Sequence, residues 1–464
     1  MSKSKYPSAT LSNGIETVVK KISIALLLAA LVSTPLRAAD LAEEAVKYWP
    51  QWRGPTWNGV APQGNPPVTW SETENVRWKT PIKGAGWGTP IVWYDRIFLL
   101  TAIPLAKEMP IPDVIPAGTP NTKMHREAIG SWKPQRFAIV CLNRITGKPL
   151  WSRTVREGMP HQGHHRKAGF ASESPVTDGQ HIYAYFGSFG LHCYDLEGRL
   201  VWEKDFEAQP IKYGVGEGSS PALFGNTLVI PVDTERQSYV VAIDKRTGAE
   251  IWKKDREEDS NWSTPSIFTH AGRRQVVLNG TKVRSYDLST GELLWECGKQ
   301  SQGAIPMPAV GHGLVFAASG FRKDTLHAIA LGQRGDLTGG KHVVWTLSRG
   351  TPYVPCPMLW GEELYLLEDQ SFFSCLGAID GERHYLKHRL PGILNFTSSP
   401  VGAADRIYLL SEEGRTVVLQ RGKEINVLAI NKLDGKFHAS PAIVGDAIYL
   451  RGDKHLYCLA KSSH

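Results

Sequence analysis

The chain has 464 residues, of which 42% are hydrophobic and 21% charged. This composition is ordinary for a globular protein that buries a substantial core. The formal net charge is +8, but the first 38 residues hold five of the 53 Lys and Arg and one of the 45 Asp and Glu. The small positive excess that remains does not support a nucleic-acid-binding protein.

Residues 1–38 have the pattern of a secretory signal peptide. Lys20 and Lys21 precede an apolar run over 22–32, and Ala38 supplies a small residue at a cleavage point. The run is about half of the ~20 residues that a membrane-spanning helix needs, so we expect no membrane span after the signal is removed. The pattern predicts a periplasmic or secreted protein.

Residues 39–74 form an aromatic lead-in ahead of the repeated part of the chain. Its clearest run is YWPQWRGP at 48–55. Aromatic side chains carry a large apolar area that favours burial against a neighbouring surface. We therefore expect the lead-in to pack against the wall of the domain that follows.

One unit recurs over residues 75–464. A small residue and a proline open an apolar strand, three more strands follow, and a D/N-x-x-T-G-x-x-x-W segment joins the last two. From Pro175 onward the prolines are 46, 44, 43, 49, 43 and 41 residues apart. A period of this length fits a four-stranded propeller blade. The eight steps are Thr89-Pro90, Ser174-Pro175, Ser220-Pro221, Thr264-Pro265, Met307-Pro308, Cys356-Pro357, Ser399-Pro400 and Ser440-Pro441.

The ends of the chain predict how the ring closes. The last unit is one strand short, whereas residues 76–80 form a strand that no unit precedes. Pairing the two would complete an eighth blade and remove the exposed edges of an open ring. The sequence thus predicts an all-β, eight-bladed propeller of four-stranded antiparallel blades. Seven blades is the alternative, because units six and seven lack the tryptophan.

The tryptophan of the repeat is predicted to be structural. It follows a hairpin glycine by four residues at Trp151, Trp202, Trp252 and Trp295. We expect each indole to dock between neighbouring blades, with its N–H bonded to a backbone acceptor. A role in stacking a ligand is the lesser alternative, since the fourth strand of a blade is outermost.

The six cysteines are predicted to be free, although export would permit disulfides. Four of them occupy similar points in their repeats: Cys141, Cys193, Cys375 and Cys458. Equivalent positions in different blades diverge around the axis and do not come within the roughly 7 Å between Cα atoms that a bridge requires. Buried thiols acting as small apolar groups are the better interpretation.

These repeats resemble the pyrroloquinoline quinone (PQQ)-like repeat family of bacterial β-propellers. The resemblance rests on the segment from Ala242 to Trp252, on its siblings, and on the closing Leu456-Tyr457-Cys458. It implies the propeller fold and two kinds of function. Quinoprotein dehydrogenases oxidise alcohols or sugars with PQQ and calcium, whereas non-catalytic members, such as the outer-membrane assembly lipoprotein, bind proteins through surface loops.

The resemblance does not carry over a cofactor site. Alcohol-oxidising members stack PQQ on two adjacent cysteines, and this chain has no such pair. Sugar-oxidising members also dispense with the pair, so its absence leaves the dehydrogenase alternative open. Glu173, Glu217 and Asn261 precede first strands but form no ordered calcium signature. We therefore predict neither a catalytic residue nor a cofactor, with PQQ and calcium as what an enzyme of this kind would require.

Two segments outside the repeat are predicted to share one face of the propeller. A proline-rich insertion at about 103–136 separates the second and third strands of blade one, and the loop 153–169 joins blades one and two. That loop carries the candidate ligand- or partner-binding residues His161, His164, His165 and Arg166. Imidazole suits zinc or copper, but the H-x-x-H-H spacing matches no strong metal motif. Contact with an anion or polar partner is the functional hypothesis, and an ordinary solvated loop is the alternative.

The sequence favours an exported binding module over an enzyme, because the segments that depart from the repeat are surface loops. The leading prediction is a monomeric, non-catalytic propeller that binds a protein partner or a polymeric ligand in the cell envelope. One alternative is a PQQ-dependent dehydrogenase acting on alcohols or aldoses. The other is a propeller that binds a polysaccharide or polyanion.

Overall fold

The computed structural model describes residues 1–2, 43–107, 128–130, 133–392 and 394–461. Nearly all of the predicted signal peptide, and most of the blade-one insertion, lie outside these residues. Within the described ranges, no helix is long and apolar enough to cross a membrane.

The described chain is built of short strands. The first are β1 (Val76–Pro81), β2 (Ile91–Trp93), β3 (Arg96–Pro104), β4 (Ala128–Ile129), β5 (Gln135–Asn143), β6 (Pro149–Gly158), β7 (His164–His165), β8 (Val176–Thr177), β9 (His181–Tyr185), β10 (Leu191–Asp195), β11 (Leu200–Lys204), β12 (Ala222–Phe224), β13 (Thr227–Val232), β14 (Ser238–Asp244), β15 (Glu250–Arg256), β16 (Ser266–His270), β17 (Arg273–Leu278), β18 (Val283–Asp287) and β19 (Leu293–Cys297). Then follow β20 (Ala309–Gly311), β21 (Leu314–Ser319), β22 (Thr325–Ala330), β23 (Gly335–Asp336), β24 (Val343–Leu347), β25 (Met358–Trp360), β26 (Glu363–Leu367), β27 (Phe372–Gly377), β28 (Arg383–Arg389), β29 (Val401–Ala403), β30 (Arg406–Leu410), β31 (Arg415–Gln420), β32 (Val427–Lys432), β33 (Ala442–Val444), β34 (Ala447–Arg451) and β35 (His455–Ala460). Short 3-10 turns span Gly187–Phe189 and Lys212–Gly214.

These strands form the eight-bladed propeller that the sequence predicts. The blades, from inner to outer strand, are β2-β3-β5-β6, β8-β9-β10-β11, β12 to β15, β16 to β19, β20-β21-β22-β24, β25 to β28, β29 to β32, and β33-β34-β35-β1. The first strands of neighbouring blades contact one another, so they surround the channel. In blade eight, β1 pairs antiparallel with β35 and places Trp78 opposite Cys458. The predicted closure is therefore confirmed.

Hydroxyl groups at the small-residue-proline steps form a hydrogen-bonded belt around the channel. The backbone N–H of Ser174 donates to Oγ of Ser220 over 2.9 Å, and the N–H of Ser220 donates to Oγ1 of Thr264 over 2.9 Å. Equivalent bonds of 2.9–3.2 Å join Thr89 to Ser174, Met307 to Cys356, Cys356 to Ser399 and Ser399 to Ser440. Since buried N–H groups need acceptors, the belt explains why a hydroxyl or thiol precedes the proline at seven of the eight steps, Met307 being the exception.

The tryptophans of the outer strands lie against the next blade. The indole Nε1 groups of Trp151, Trp202 and Trp252 each donate over 2.9 Å to a backbone oxygen of the following blade's hairpin. Each ring also covers a hairpin glycine with positive φ. At Gly248, for example, an added Cβ would lie 2.7 Å from the ring of Trp202. The repeat therefore requires glycine at this point, both for its backbone angle and for the close approach of the indole.

Trp295 differs from the other three. It is 1% exposed, but its Nε1 has no hydrogen-bond acceptor among the residues that the structure describes. The hairpin that it faces, in blade five, is longer and contains β23, which pairs in parallel with Trp295 and Glu296. The larger hairpin thus replaces the tight turn that supplies the acceptor elsewhere. All six cysteines are buried and free, as predicted.

Candidate functional site

The lead-in packs against the propeller, as expected from sequence, and its contacts are with the inner strands. Trp49 pairs with Val92 of blade one, the carbonyl of Pro50 accepts from Thr177 of blade two, and Ala61 donates to Gly402 of blade seven. These contacts fall at the ends of the first strands that are remote from the loops joining consecutive blades. The lead-in therefore crosses the channel at its hairpin end.

A cavity of about 230 Å³ opens at the other end of the channel, on the inter-blade face, which we define as the face carrying the loops that join consecutive blades. Every one of the eight inter-blade loops contributes to its wall, and Trp52 of the lead-in also lines it. The lining residues include Trp87, His165, Val215, Trp262, Ile305, Tyr353, Thr397 and His438. The site is thus a concave, mainly apolar surface with several aromatic rings, and it exists only when the ring of blades is closed.

Several polar side chains of the cavity are engaged in contacts within the protein. Thr397 Oγ1 lies 3.0 Å from Nδ1 of His438, and Lys167 Nζ lies 2.8 Å from Oε1 of Glu412. Burial, together with the charge of Lys167, lowers the pKa of His438 to about 4, so its ring is neutral at pH 7. His438 and the Lys167–Glu412 pair therefore contribute little net charge to the cavity.

The predicted candidate loop is divided between the cavity and its surroundings. His165 lines the cavity, whereas Arg166 is exposed beside it. His161 stacks on Phe189 with ring centroids 4.3 Å apart, and His164 packs edge-on against Phe170. Burial lowers the pKa of both His161 and His164. Three side chains of the loop are thus half-buried, in contrast to the solvated alternative.

The insertion and the candidate loop are joined by backbone pairing. In a two-stranded antiparallel ladder, Ala128 lies opposite His165 and Ile129 lies opposite His164. The two segments that fall outside the sequence repeat therefore meet on the inter-blade face, next to the cavity.

A pair of buried carboxyl groups lies beside the cavity. Glu217 lines it, and its Oε2 accepts hydrogen bonds from the backbone N–H and Oγ of Ser188 over 2.8 and 3.1 Å. Burial, with a further contribution from the charge of Glu217, raises the pKa of Glu173 to about 8. An added Cβ at Gly187 would lie 2.1 Å from Oε2 of Glu217, so glycine there makes room for the carboxylate.

These residues do not fit PQQ with calcium. Asn261, the third oxygen donor considered from sequence, uses its amide to bond Glu258 and its Oδ1 to accept from Ala304. Among the described residues, no group of three or more His, Cys, Asp and Glu side chains is arranged to hold a metal ion. Lys167, a cation that could meet a carboxylate of the cofactor, is paired with Glu412.

Comparison with protein families assigns the chain on sequence grounds. A family model described as outer membrane protein assembly factor BamB matches residues 135–385 and, in an overlapping match, 236–463. Together these matches span well over half of the chain. The chain belongs to this family. The predicted resemblance to PQQ-like repeat propellers is thereby confirmed.

Individual relatives are distant. Tetrathionate hydrolase of Acidithiobacillus ferrooxidans is 23% identical over 292 residues, which cover 58% of this chain and 53% of that protein. The chain thus spans about half the length of this curated relative.

Solved structures share the fold at low sequence identity. BamB from Moraxella catarrhalis matches with a TM-score of 0.50 and 12% identity, covering 79% of this chain and 99% of that one. Quinohemoprotein alcohol dehydrogenase from Comamonas testosteroni matches with a TM-score of 0.59 and 11% identity, covering 94% and 84%. At such identities the likeness concerns the fold alone, and propellers of one fold host several functions.

Proposed function

We propose that the protein is an exported, non-catalytic binding propeller of the cell envelope, and that it engages a protein partner through the inter-blade face. The observation that carries this proposal is the cavity built from all eight inter-blade loops. A concave apolar surface with few convergent polar groups is the usual form of a binding site. Membership of a family described as an outer membrane assembly factor supports an envelope role.

The position of the lead-in favours a channel that binds a ligand at one end over a channel through which a ligand passes. It crosses the hairpin end, and Trp52 contributes to the cavity wall. A ligand can therefore enter from the inter-blade face, where the exposed Arg166 and the short ladder of the insertion stand beside the opening. This arrangement provides a rim for a larger partner around a deeper pocket.

Site-specific photo-crosslinking in intact cells of the native host tests the proposal. A photoreactive benzoylphenylalanine is placed at Arg166 on the inter-blade face, and a matched control at Ala249, in a hairpin turn on the opposite face. We expect a discrete protein adduct, identified by mass spectrometry, at position 166 and none at 249. Equal adducts at both positions, or none at 166, would contradict the proposal.

The two alternatives have their own readouts. Adding PQQ and calcium to the purified protein would give a bound chromophore and dye-linked oxidation of alcohols or aldoses if it were a dehydrogenase. A polyanion-binding protein would be retained on an anionic polysaccharide and released by salt, because exposed charge contacts are screened. Either result, in place of the adduct, would overturn the proposal of a protein-binding propeller.

A further inference from the structure

We infer that the cavity holds one aromatic or large aliphatic side chain presented by the protein partner. This apolar anchor is favoured over a sugar, a cofactor or a charged group. This inference rests on the proposed function and deepens it by naming what the site recognises. It follows from the size of the cavity, from the hydrogen bonds of its polar side chains and from the contacts that fix the aromatic rings of its wall.

The size of the cavity suits a single side chain. Its volume is about 230 Å³. Sites that enclose whole small molecules or cofactors usually measure roughly 300–1,000 Å³. An anchor that is part of a peptide needs less space, because the rest of the partner stays outside on the rim.

The polar contacts argue against a sugar. Each hydroxyl of a buried sugar needs a hydrogen-bond partner, since an unpaired polar group loses its contacts with water. Three side chains that could serve are already occupied: Thr397 with His438, Lys167 with Glu412, and Ser172 with the carbonyl of Gly169. Among the described residues the indole N–H of Trp87 has no acceptor, but a single donor cannot satisfy the several hydroxyl groups of a sugar. An apolar ring has no polar group that needs a hydrogen-bond partner.

The aromatic rings of the wall complete the argument from contacts. Trp262 donates its Nε1 to the carbonyl of Gly216 over 2.7 Å, so its ring is fixed in place. Trp87 stands edge-on to His438 with ring centroids 4.6 Å apart, and its Nε1 is buried. Tyr353 stacks on Phe321 with centroids 5.3 Å apart. Rings held in this way offer faces and edges to an incoming ring at little entropic cost.

Electrostatics point the same way. His438 is neutral, Lys167 is paired with Glu412, and Glu217 accepts hydrogen bonds from Ser188 while burial raises its pKa, so these groups create no strong field that would attract a charged anchor. The burial of an isolated charge would carry a large desolvation cost. Aromatic side chains carry no such cost, and Trp and Tyr are enriched among the residues that contribute most of the binding energy in protein interfaces.

Saturation-transfer NMR on the purified full chain tests the inference with defined probes. N-acetyl-L-tryptophanamide is the probe, N-acetylglycinamide is its matched control, and chitobiose, a heparin tetrasaccharide and PQQ represent the other ligand classes. We expect saturation of the indole protons and none for the other probes. Signal from chitobiose, heparin or PQQ without the indole, or silence from all probes, would overturn the inference.

Two filled variants locate the binding. Ala168→Trp and Val215→Trp each place a ring in the cavity from a different inter-blade loop, whereas Ala249→Trp adds the same ring on the opposite face. We expect at least about tenfold weaker indole binding in each filled variant and wild-type binding in the control. The use of two loops keeps the test valid if one variant fails to fold, which circular dichroism reports. Unchanged binding in the folded variants would overturn the inference.

The two proposals fail in different ways. If the adduct at position 166 persists undiminished in Ala168→Trp, the partner binds without an anchor, so the inference fails while the proposed function stands. If the indole binds but no partner is crosslinked, the cavity serves another ligand and the proposed function fails.

Discussion

Trp70 of the lead-in stacks on Tyr408 of blade seven, with ring centroids 6.3 Å apart and ring planes 19° apart. Tyr408 lies opposite Val418, which lies opposite Ala429 on the outer strand. In other blades an indole from the outer strand packs on the equivalent aromatic ring: Trp151 on Phe98, Trp202 on Tyr183, Trp345 on Phe316 and Trp78 on Tyr449, at 5.9–6.0 Å. Trp70 therefore supplies from the lead-in the indole that blade seven lacks.

Ring closure explains why blade seven carries Ala429. In five of the other seams, which are the contacts between neighbouring blades, an outer-strand tryptophan donates a hydrogen bond to the third-to-fourth hairpin of the next blade. Blade eight has no such hairpin, because its outer strand β1 and its third strand β35 come from opposite ends of the chain. Asn431 secures the substitute by accepting from the N–H of Trp70 over 2.9 Å and donating to the carbonyl of Val68.

Replacing Trp70 by Ala should therefore destabilise the whole propeller. The side chain is 4% exposed, so its removal leaves a cavity in the last seam of the ring. We expect a loss of about 3–5 kcal/mol in the free energy of unfolding, measured by urea titration. Ile379→Ala, at a position that is 56% exposed, should change it by less than about 0.5 kcal/mol. A similar small effect for Trp70→Ala would mean that the lead-in is only loosely attached.

The indole N–H should contribute to the stability of the fold at Trp252 but not at Trp295. Both rings are buried, yet only Trp252 donates to a carbonyl, that of Leu288. Phe substitution removes part of the ring at both positions but a hydrogen bond at one. We expect Trp252→Phe to cost about 1 kcal/mol more than Trp295→Phe in unfolding free energy. Equal costs would show that the hydrogen bond adds nothing to stability.

The sequence predicted the fold well because the propeller is periodic. Each blade repeats the same strands and the same hairpin glycine, and the strand at 76–80 had no other partner than the last unit. The lead-in was harder, since Trp70 and Tyr408 meet only through the closed ring. The sequence shows that blade seven has Ala429 where other blades have tryptophan. The reason, that blade eight offers no hairpin to such a tryptophan, is apparent only from the contact between the two blades in the structure.

The candidate site was predicted only in part. The repeat indicated that the insertion and the His-rich loop share a face, and His165 does line the cavity. Trp52, Trp87, Trp262 and Tyr353 were missed, because each belongs to a different segment and no local spacing connects them. Trp87, Trp262 and Tyr353 do share one signal, an aromatic residue three or four positions ahead of the proline of the repeat.

The belt of hydroxyl groups around the channel makes a prediction at Ser220. Its Oγ accepts the buried N–H of Ser174, so Ser220→Ala would leave that donor unpaired. We expect a loss of about 1–3 kcal/mol in unfolding free energy. Ser220→Thr keeps the hydroxyl that Thr89 and Thr264 provide at equivalent positions, and should stay close to wild type. If the alanine and threonine variants are equally stable, the bond does not hold the blades together.

The buried carboxyl group of Glu173 should make stability depend on pH. Its pKa rises from an ordinary 4.5 to about 8 in the folded chain, first because it is buried and then because Glu217 lies near. Between these values the folded state keeps a proton that the unfolded state releases. The contribution of Glu173 to the free energy of unfolding is therefore fully present below pH 4.5 and is lost as the pH rises towards 8. The slope from this one group is at most ~1.4 kcal/mol for each pH unit.

Glu173→Gln stays neutral throughout and should lack this slope. Asp369, whose pKa burial raises to about 6, and Glu217 contribute slopes of the same sign to both proteins, so the difference between variant and wild type isolates Glu173. Urea titrations at pH 5 and pH 8 measure it. We expect the free energy of unfolding of the variant to rise relative to that of the wild type between pH 5 and pH 8. Parallel stability curves across that interval would show that Glu173 ionises normally, with a partner or water that offsets its burial.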